Sequence, residues 1–504
     1  FDLIYVNGDN NLPNLRQGEE TWKVQLIDEV FQTLMFDVKD IKMINNLNVK
    51  NFKAWEALDL SFGKITGIFG TNSSGKSSLL QMLLLLKQTK NTADRNIVLD
   101  FGGADKLINL GTYNDVIHKH ETERHLSWSL DWMAQKSIKI SDPAKSSKSV
   151  LFEGKRLKTE CNTYINSNIL TVDYFKYWFS DNEFEIRKKE GGTEFRLLPD
   201  HHSSSKFKFS RTKGRNWTLP KPIKTYLFPD QAKTYYQNAD FLSVFENEYE
   251  TLMDSIYYLG PLRDFPKREY QWSGSRPDGV GSRGERTVDA ILAATMKGEI
   301  RNLGGRTRYK PFEEIIAYWL KELGLIHSFK ISEIAKNSNL YRTLVQKELG
   351  SSEVALTDVG FGVSQVLPVL VLLYSVPENS IVLLEQPEIH LHPAVQSQLA
   401  DLMINVAKAR NIQIIVESHS EHLLRRFQRR VAEDVITRDD LKLYFFKTVK
   451  GRAKKEELTL DEYGNIGNWP TNFFGDEMAE ISATRKAGLR RKKKDMESSQ
   501  DDDI

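Results

Sequence analysis

Of 504 residues, only one is cysteine, Cys161. That excludes an internal disulfide framework and a cysteine-based zinc site within one chain, and it fits a reducing, cytoplasmic setting. Long apolar runs are also missing. The longest, Leu79 to Leu86 and Val366 to Val376, fall far short of the ~20 residues of a membrane-spanning helix. Charge of one sign is not in excess: the net formal charge is +2, which neither demands nor excludes a nucleic-acid partner. There are no internal repeats and no sustained heptads, so a long coiled-coil arm is not expected. No paired-histidine nuclease motif or Toprim-sized acidic segment is visible. What remains is an ordinary globular composition with room for about two to four domains.

Chemistry is concentrated in three short stretches. The first, "GTNSSGKS" from Gly70 to Ser77, fits G-x-x-x-x-G-K-[ST] and stands between an expected strand, Ile65–Phe69, and an expected apolar helix. Its glycines let backbone N–H groups curl around phosphates, and the helix N-terminus adds a favourable dipole. Gly70, Thr71, Asn72, Ser73, Ser74, Gly75, Lys76, Ser77 and Ser78 are therefore the expected ATP contacts. Lys76 is placed on the β- and γ-phosphates and the Ser77 hydroxyl on Mg²⁺. The plain alternative is a glycine-serine turn before a core helix.

The second stretch is "IVLLEQPE". Ile381 to Leu384 reads as a strand buried on both faces, and Glu385 ends it where an α/β sheet presents ligand-contacting groups. Glu385 is the expected second metal-binding residue, against the alternative of a solvated strand end. The third stretch, "IQIIVESHSEHLL", is another buried strand, ending at Glu417-Ser418-His419. His419 is placed to hydrogen-bond the γ-phosphate and the attacking water, against a merely structural histidine. A competing reading gathers His390, His392, His419 and His422 as a metal site, because HxH on a strand puts both rings on one face.

In this order, with "DVGFGVSQVLPVLVLL" between the first and second stretches, the sequence resembles the ABC-type ATPases. It is more closely similar to a bacterial anti-phage branch related to the overcoming-lysogenization-defect and Septu ATPases. The tail "LTLDEYGNIGNWPTNFFGDEMAE" resembles the end of a predicted-ATPase family in that branch, so the resemblance runs from about Met43 to Glu480. It implies an α/β fold: an ABC-type head of the P-loop NTPase kind, with a mixed sheet, flanking helices, an antiparallel β subdomain and a mainly β insertion. It also implies two heads that sandwich ATP, each phosphate loop facing the other subunit's signature segment. By position Gly360 to Gln365 fills that role here, with Gly362, Ser364 and Gln365 as contacts, although the match to the usual signature is poor. His390 and His392 fall where the family's D-loop crosses to the partner. The glutamine that senses the metal has no clear counterpart; Asn109 to His118 is a candidate region.

One position departs from the family pattern. After the metal-binding acid the family carries a catalytic glutamate, and here Gln386 stands instead. An amide cannot accept a proton at neutral pH, and loss of a general base costs ~10²–10⁴ in rate. Gln386 is left to orient water, as a glutamine does in small GTPases. Alternatively, Glu388 acts in its place, sharing a face with 386 if the strand stays extended through Pro387. The expectation is slow hydrolysis, catalysed through Gln386, Glu388, His419 and Lys76, and a long-lived ATP-bound dimer.

Seven regions are expected: a 1–42 extension, a 43–120 lobe with the phosphate loop and a 121–250 mainly β insertion; then a 251–350 basic loop and helical segment and a 351–450 second lobe; and finally a 451–484 family tail and a 485–504 disordered charged tail. The extension resembles the C-terminal end of adenine-specific DNA methyltransferases. Three functions compete: an ATP-gated switch for a separate nuclease or toxin effector, a DNA-repair ATPase that clamps DNA, and a non-hydrolysing scaffold. For the second, Arg263, Lys267, Arg268, Arg276, Arg283 and Arg286 in the Pro261–Thr287 segment could grip phosphates, unless that loop simply packs on the head.

Overall fold

A computed structural model describes residues 42–103, 106–141, 149–200, 205, 207–212, 218–304, 309–470 and 484–489. The extension 1–41, with its methyltransferase resemblance, and most of the final tail lie outside them.

Two sheets organise the chain. Strands β1 (Met43–Phe52), β2 (Trp55–Ser61), β4 (Leu126–Ser141), β5 (Val150–Asn166), β6 (Ile169–Phe179), β7 (Asn182–Lys188) and β8 (Phe195–Leu198) form a seven-stranded antiparallel sheet in the order β2-β1-β4-β5-β6-β7-β8. The β1–β4 pairing, Leu47 opposite Leu130 and Val49 opposite Trp128, carries one continuous sheet across position 120, where a separate insertion was expected to begin. The inward side of that sheet is aromatic, with Trp128, Trp132, Phe175, Tyr177 and Phe184 all buried.

The second sheet holds the chemistry. Its strands are β3 (Ile65–Gly70), β9 (Ile256–Leu259), β10 (Ile381–Glu385), β11 (Gln413–Glu417), β12 (Leu441–Val449) and β13 (Arg452–Glu457), in the order β13-β12-β3-β11-β10-β9. All pairs are parallel except the β12–β13 edge hairpin. Its inner strands read as unbroken apolar runs because both faces are covered. Ile381, Leu383, Ile415 and Tyr444 pack with helix α1 (Lys76–Asn91) and the antiparallel sheet. Val382, Leu384, Ile414, Val416 and Leu443 pack on the other side with helices α2 (Phe361–Ser375), α3 (Pro393–Arg410) and α4 (Glu421–Ala432). The switch of face at every residue is the period-2 geometry of a strand. Helix α1 is buried nearly all round, as its leucine run requires.

One polar residue joins the two sheets. Gln413, fully buried in β11, accepts a hydrogen bond from Ile44 N–H (2.9 Å) and donates to the carbonyls of Ile44 and Gly63 (both 2.9 Å). It satisfies backbone groups of β1 and of the β2–β3 turn that would otherwise be buried unpaired.

In the final tail, residues 484–489 are helical and exposed, a correction to the disorder expected from 485 onward. Arg485, Lys486, Ala487 and Leu489 are strong helix formers, and mutual charge repulsion over one turn does not outweigh that preference.

Candidate nucleotide site

The phosphate loop leaves β3 and enters α1 through two backbone positions that only glycine fits. Gly70 has φ +138°, and a Cβ there would sit 2.0 Å from the Phe446 carbonyl oxygen. Gly75 has φ +89°, and a Cβ would sit 2.7 Å from Trp55 Nε1. That indole donates to the Gly75 carbonyl (3.0 Å) and packs edge-on against Phe446 at 4.9 Å. The antiparallel sheet thus braces the start of α1 through β2. Around the loop lies a cleft of about 400 Å³ lined by Asn72 to Ser78, Lys53, Ala54, Gln81, Gln386, Glu417 and His419. Lys76 turns back on its own loop, donating to the carbonyls of Gly70 (3.1 Å) and Thr71 (2.8 Å).

One carboxylate, Glu417, lines this cleft, and two more adjoin it: Glu385 beside Glu417 on the next strand and Glu388 on the His419 N–H. Glu385 and Glu417 end neighbouring parallel strands in direct register. Glu417 accepts the Ser77 hydroxyl at 3.1 Å. Glu385 accepts from the Tyr258 hydroxyl (3.2 Å), while Arg263 donates to the Glu385 carbonyl (3.3 Å). Burial pushes the Glu385 carboxyl up to about 7, and the nearby Glu417 charge adds to the effect; Tyr258 and Arg263 pull the other way. Burial likewise raises Glu417 and Glu388. It lowers Lys76 and, together with the Lys76 charge, His419, so His419 is held neutral.

The metal assignment fits these residues. Ser77 and Glu385 supply the hard oxygen donors that Mg²⁺ prefers, and the deeply buried Glu417 keeps one oxygen, Oε2, without a hydrogen-bond partner among the described residues. The four-histidine alternative does not form. Residues 386–392 make a turn rather than a strand, and His392 Nδ1 caps α3 by accepting from Ala394 N–H. His422 is exposed. Among the described residues no group of three His, Cys, Asp or Glu could hold a metal ion.

The chain does not stay extended through Pro387. Strand β10 stops at Glu385, and Gln386 takes φ +44°, a left-handed value uncommon for a side-chain-bearing residue. Its N–H still donates to the Glu417 carbonyl (2.8 Å), so the ladder reaches one residue further. The shared strand face expected for 386 and 388 is therefore absent. Glu388 reaches the site through the turn instead: its Oε1 accepts from His419 N–H at 2.6 Å, and its Oε2 has no hydrogen-bond partner among the described residues.

Gly360, Gly362, Ser364 and Gln365 are not among the residues that line the cleft. Gly360 precedes α2, Gly362 and Gln365 are partly exposed, and Ser364 is buried beside Asp264–Tyr270. Asn109–His118 carries a short helix, Tyr113–Val116, capped by Thr112 and Asp115, with His118 Nδ1 against the Lys53 carbonyl (2.9 Å). The basic segment is largely engaged with the head. Arg263 is buried, Arg268 pairs with Asp358 (2.8 Å), Arg283 with Asp264 (2.8 Å), and Arg276 with Glu299. Three residues were not singled out from sequence: Glu417, and the Lys53–Gln81 pair (2.8 Å) on the cleft wall.

Three family models match. Residues 43–275 match an AAA ATPase domain, 175–425 an AAA domain described as "putative AbiEii toxin, Type IV TA system", and 436–483 a protein family of unknown function, DUF3696. No curated protein matches. Among solved structures, the chain is similar to an SmcHead bound to the C-winged helix domain of ScpA (13% identity, 83% of this chain and 98% of that one, TM-score 0.40). It is also similar to an SMC head domain from Thermotoga maritima (10% identity, 82% and 99%, TM-score 0.35). In fold, the chain is α/β with mixed sheets, ATPase-head-like and consistent with a P-loop NTPase.

Proposed function

We propose that the protein binds ATP with Mg²⁺, hydrolyses it slowly, and dimerises around it as a switch for a separate nuclease or toxin effector in anti-phage defence. The observation that carries the ATPase reading is one cleft lined by the glycine loop, the acidic strand end Glu417 and His419, with Glu385 ending the neighbouring strand in register. Loop N–H groups and the α1 N-terminus bind the phosphates. Lys76 leaves the Gly70 and Thr71 carbonyls for phosphate oxygens. Ser77 and Glu385 hold the cation, which offsets charge on the phosphates.

Neutral His419 can donate to the γ-phosphate while its own N–H anchors Glu388. Gln386 orients water, and Glu388, its basicity raised by burial, takes the proton. The missing carboxylate at 386 makes the expected turnover slow and the ATP-bound dimer long-lived. The partly exposed Gly362 and Gln365 at the start of α2, which do not line this chain's own cleft, complete a second copy's site. The defence setting rests on the resemblance and on the toxin description of the matching 175–425 family. DNA clamping has less support, because Arg263 is buried and Arg268, Arg276 and Arg283 are each paired with a carboxylate.

Light scattering with Mg²⁺ and a non-hydrolysable ATP analogue tests the reading. A nucleotide-dependent doubling of mass, lost in Lys76→Ala, is expected. A mass that ignores nucleotide would remove the dimer switch.

A further inference from the structure

Glu417 has no assigned role in the reaction as described, yet it is the carboxylate most tightly tied to the phosphate loop. It sits 340 residues from Ser77 and accepts that hydroxyl at 3.1 Å. It is 2% exposed, and its second oxygen has no hydrogen-bond partner among the described residues. It lines the phosphate cleft, with Glu385 beside it in register. A carboxylate buried with an idle oxygen costs free energy unless something fills the gap.

The chemistry of a hydroxyl supplies the explanation. Serine has one hydrogen and two lone pairs. Once the hydrogen is committed to Glu417 Oε1, the rotor is fixed and the lone pairs are left for a cation. Mg²⁺ keeps several of its waters in protein sites, and those waters need acceptors. Resting on the ATP–Mg²⁺ reading above, we propose that Glu417 is a positioning residue of the cation site: its Oε1 orients the Ser77 hydroxyl, and its Oε2 accepts from the cation's water shell beside Glu385. A negative group so close to bound phosphates would repel nucleotide in the absence of the cation. Glu417 therefore also makes nucleotide binding depend on the metal.

That last point separates a positioning role from a structural one. The test titrates a non-hydrolysable ATP analogue calorimetrically into the full chain, in EDTA and in Mg²⁺, for wild type and Glu417→Gln. In wild type, Mg²⁺ should tighten binding substantially. In Glu417→Gln that gain should shrink by about 10–100-fold, the usual effect of losing a group that orients a metal ligand. Affinity in EDTA should stay equal or rise. A parallel loss in both conditions, or an unchanged Mg²⁺ gain, would overturn the proposal. If Glu417→Gln does not fold, Glu417→Asp keeps the charge but withdraws it from Ser77, and the same shrinkage is expected. Ser77→Ala should abolish most of the difference between Glu417 and its variants; additive effects would contradict the link through Ser77. If wild type binds no nucleotide even with Mg²⁺, the ATP reading itself fails, a result distinct from those above.

Discussion

Glu385 and Glu417 end adjacent parallel strands at the same level, two carboxylates in register with only one lysine of the phosphate loop close by. Burial, with their mutual repulsion added, holds Glu385 up to about 7 from an ordinary 4.5. A raised carboxyl stabilises the fold fully below 4.5, and that contribution is lost as pH rises through about 7. Metal-free protein should therefore lose thermal stability across that window. Mg²⁺ needs the ionised carboxylate, so its binding should release protons. Calorimetry near pH 6.5 (about half a unit below that value) in buffers of different ionisation enthalpy should show this release; a buffer-independent heat would contradict it.

The Gln386 position makes a second prediction. Gln386→Glu keeps the shape of the side chain and adds a base next to Glu385, the proposed metal-binding acid. Turnover should rise by about 10-fold or more, and the nucleotide-bound dimer should shorten in lifetime. Glu388→Gln should have the opposite effect, a loss of ~10²–10⁴ in kcat with little change in nucleotide affinity. Single-turnover measurements separate these effects, and fast turnover surviving both Gln386→Ala and Glu388→Ala would remove both residues from the mechanism.

Gly75→Ala should abolish nucleotide binding. The added methyl must enter the space of the Trp55 indole, and a positive φ strains any L side chain. A melting temperature close to wild type with no detectable binding is the expected pattern, because the strain falls on the loop rather than on the core. Retained binding would mean that the loop relaxes.

Gln413→Leu tests the joint between the sheets. Three buried backbone groups lose their partner, each worth about 1–3 kcal/mol when orphaned. Partial relaxation should leave a net loss of roughly 3 kcal/mol, visible as a clear drop in melting temperature. An unchanged melt would show that the two sheets hold without it.

The placement of the glycine loop, Glu385 and His419 could be read from sequence because each follows a buried apolar strand within a few residues. The antiparallel sheet could not be followed across position 120, because β1 pairs with β4 some eighty residues on, and pairing at that distance leaves no periodic trace. Glu417 was visible as part of a strand end, but its meaning depends on strand order. Only when β11 lies between β3 and β10 does its last residue face both Ser77 and Glu385. The sequence leaves the arginines of 261–287 open between phosphate contact and packing on the head, and only the fold shows that Arg263 is buried and reaches the Glu385 carbonyl. The turn at Gln386 follows from a left-handed residue that carries no glycine to announce it.

The most direct test of the account is ATP turnover by the full chain with Mg²⁺, beside Lys76→Ala. Slow, Mg²⁺-dependent phosphate release that disappears in the variant is the predicted result. Release that persists in Lys76→Ala, or a chain that neither binds nor hydrolyses ATP, would contradict it.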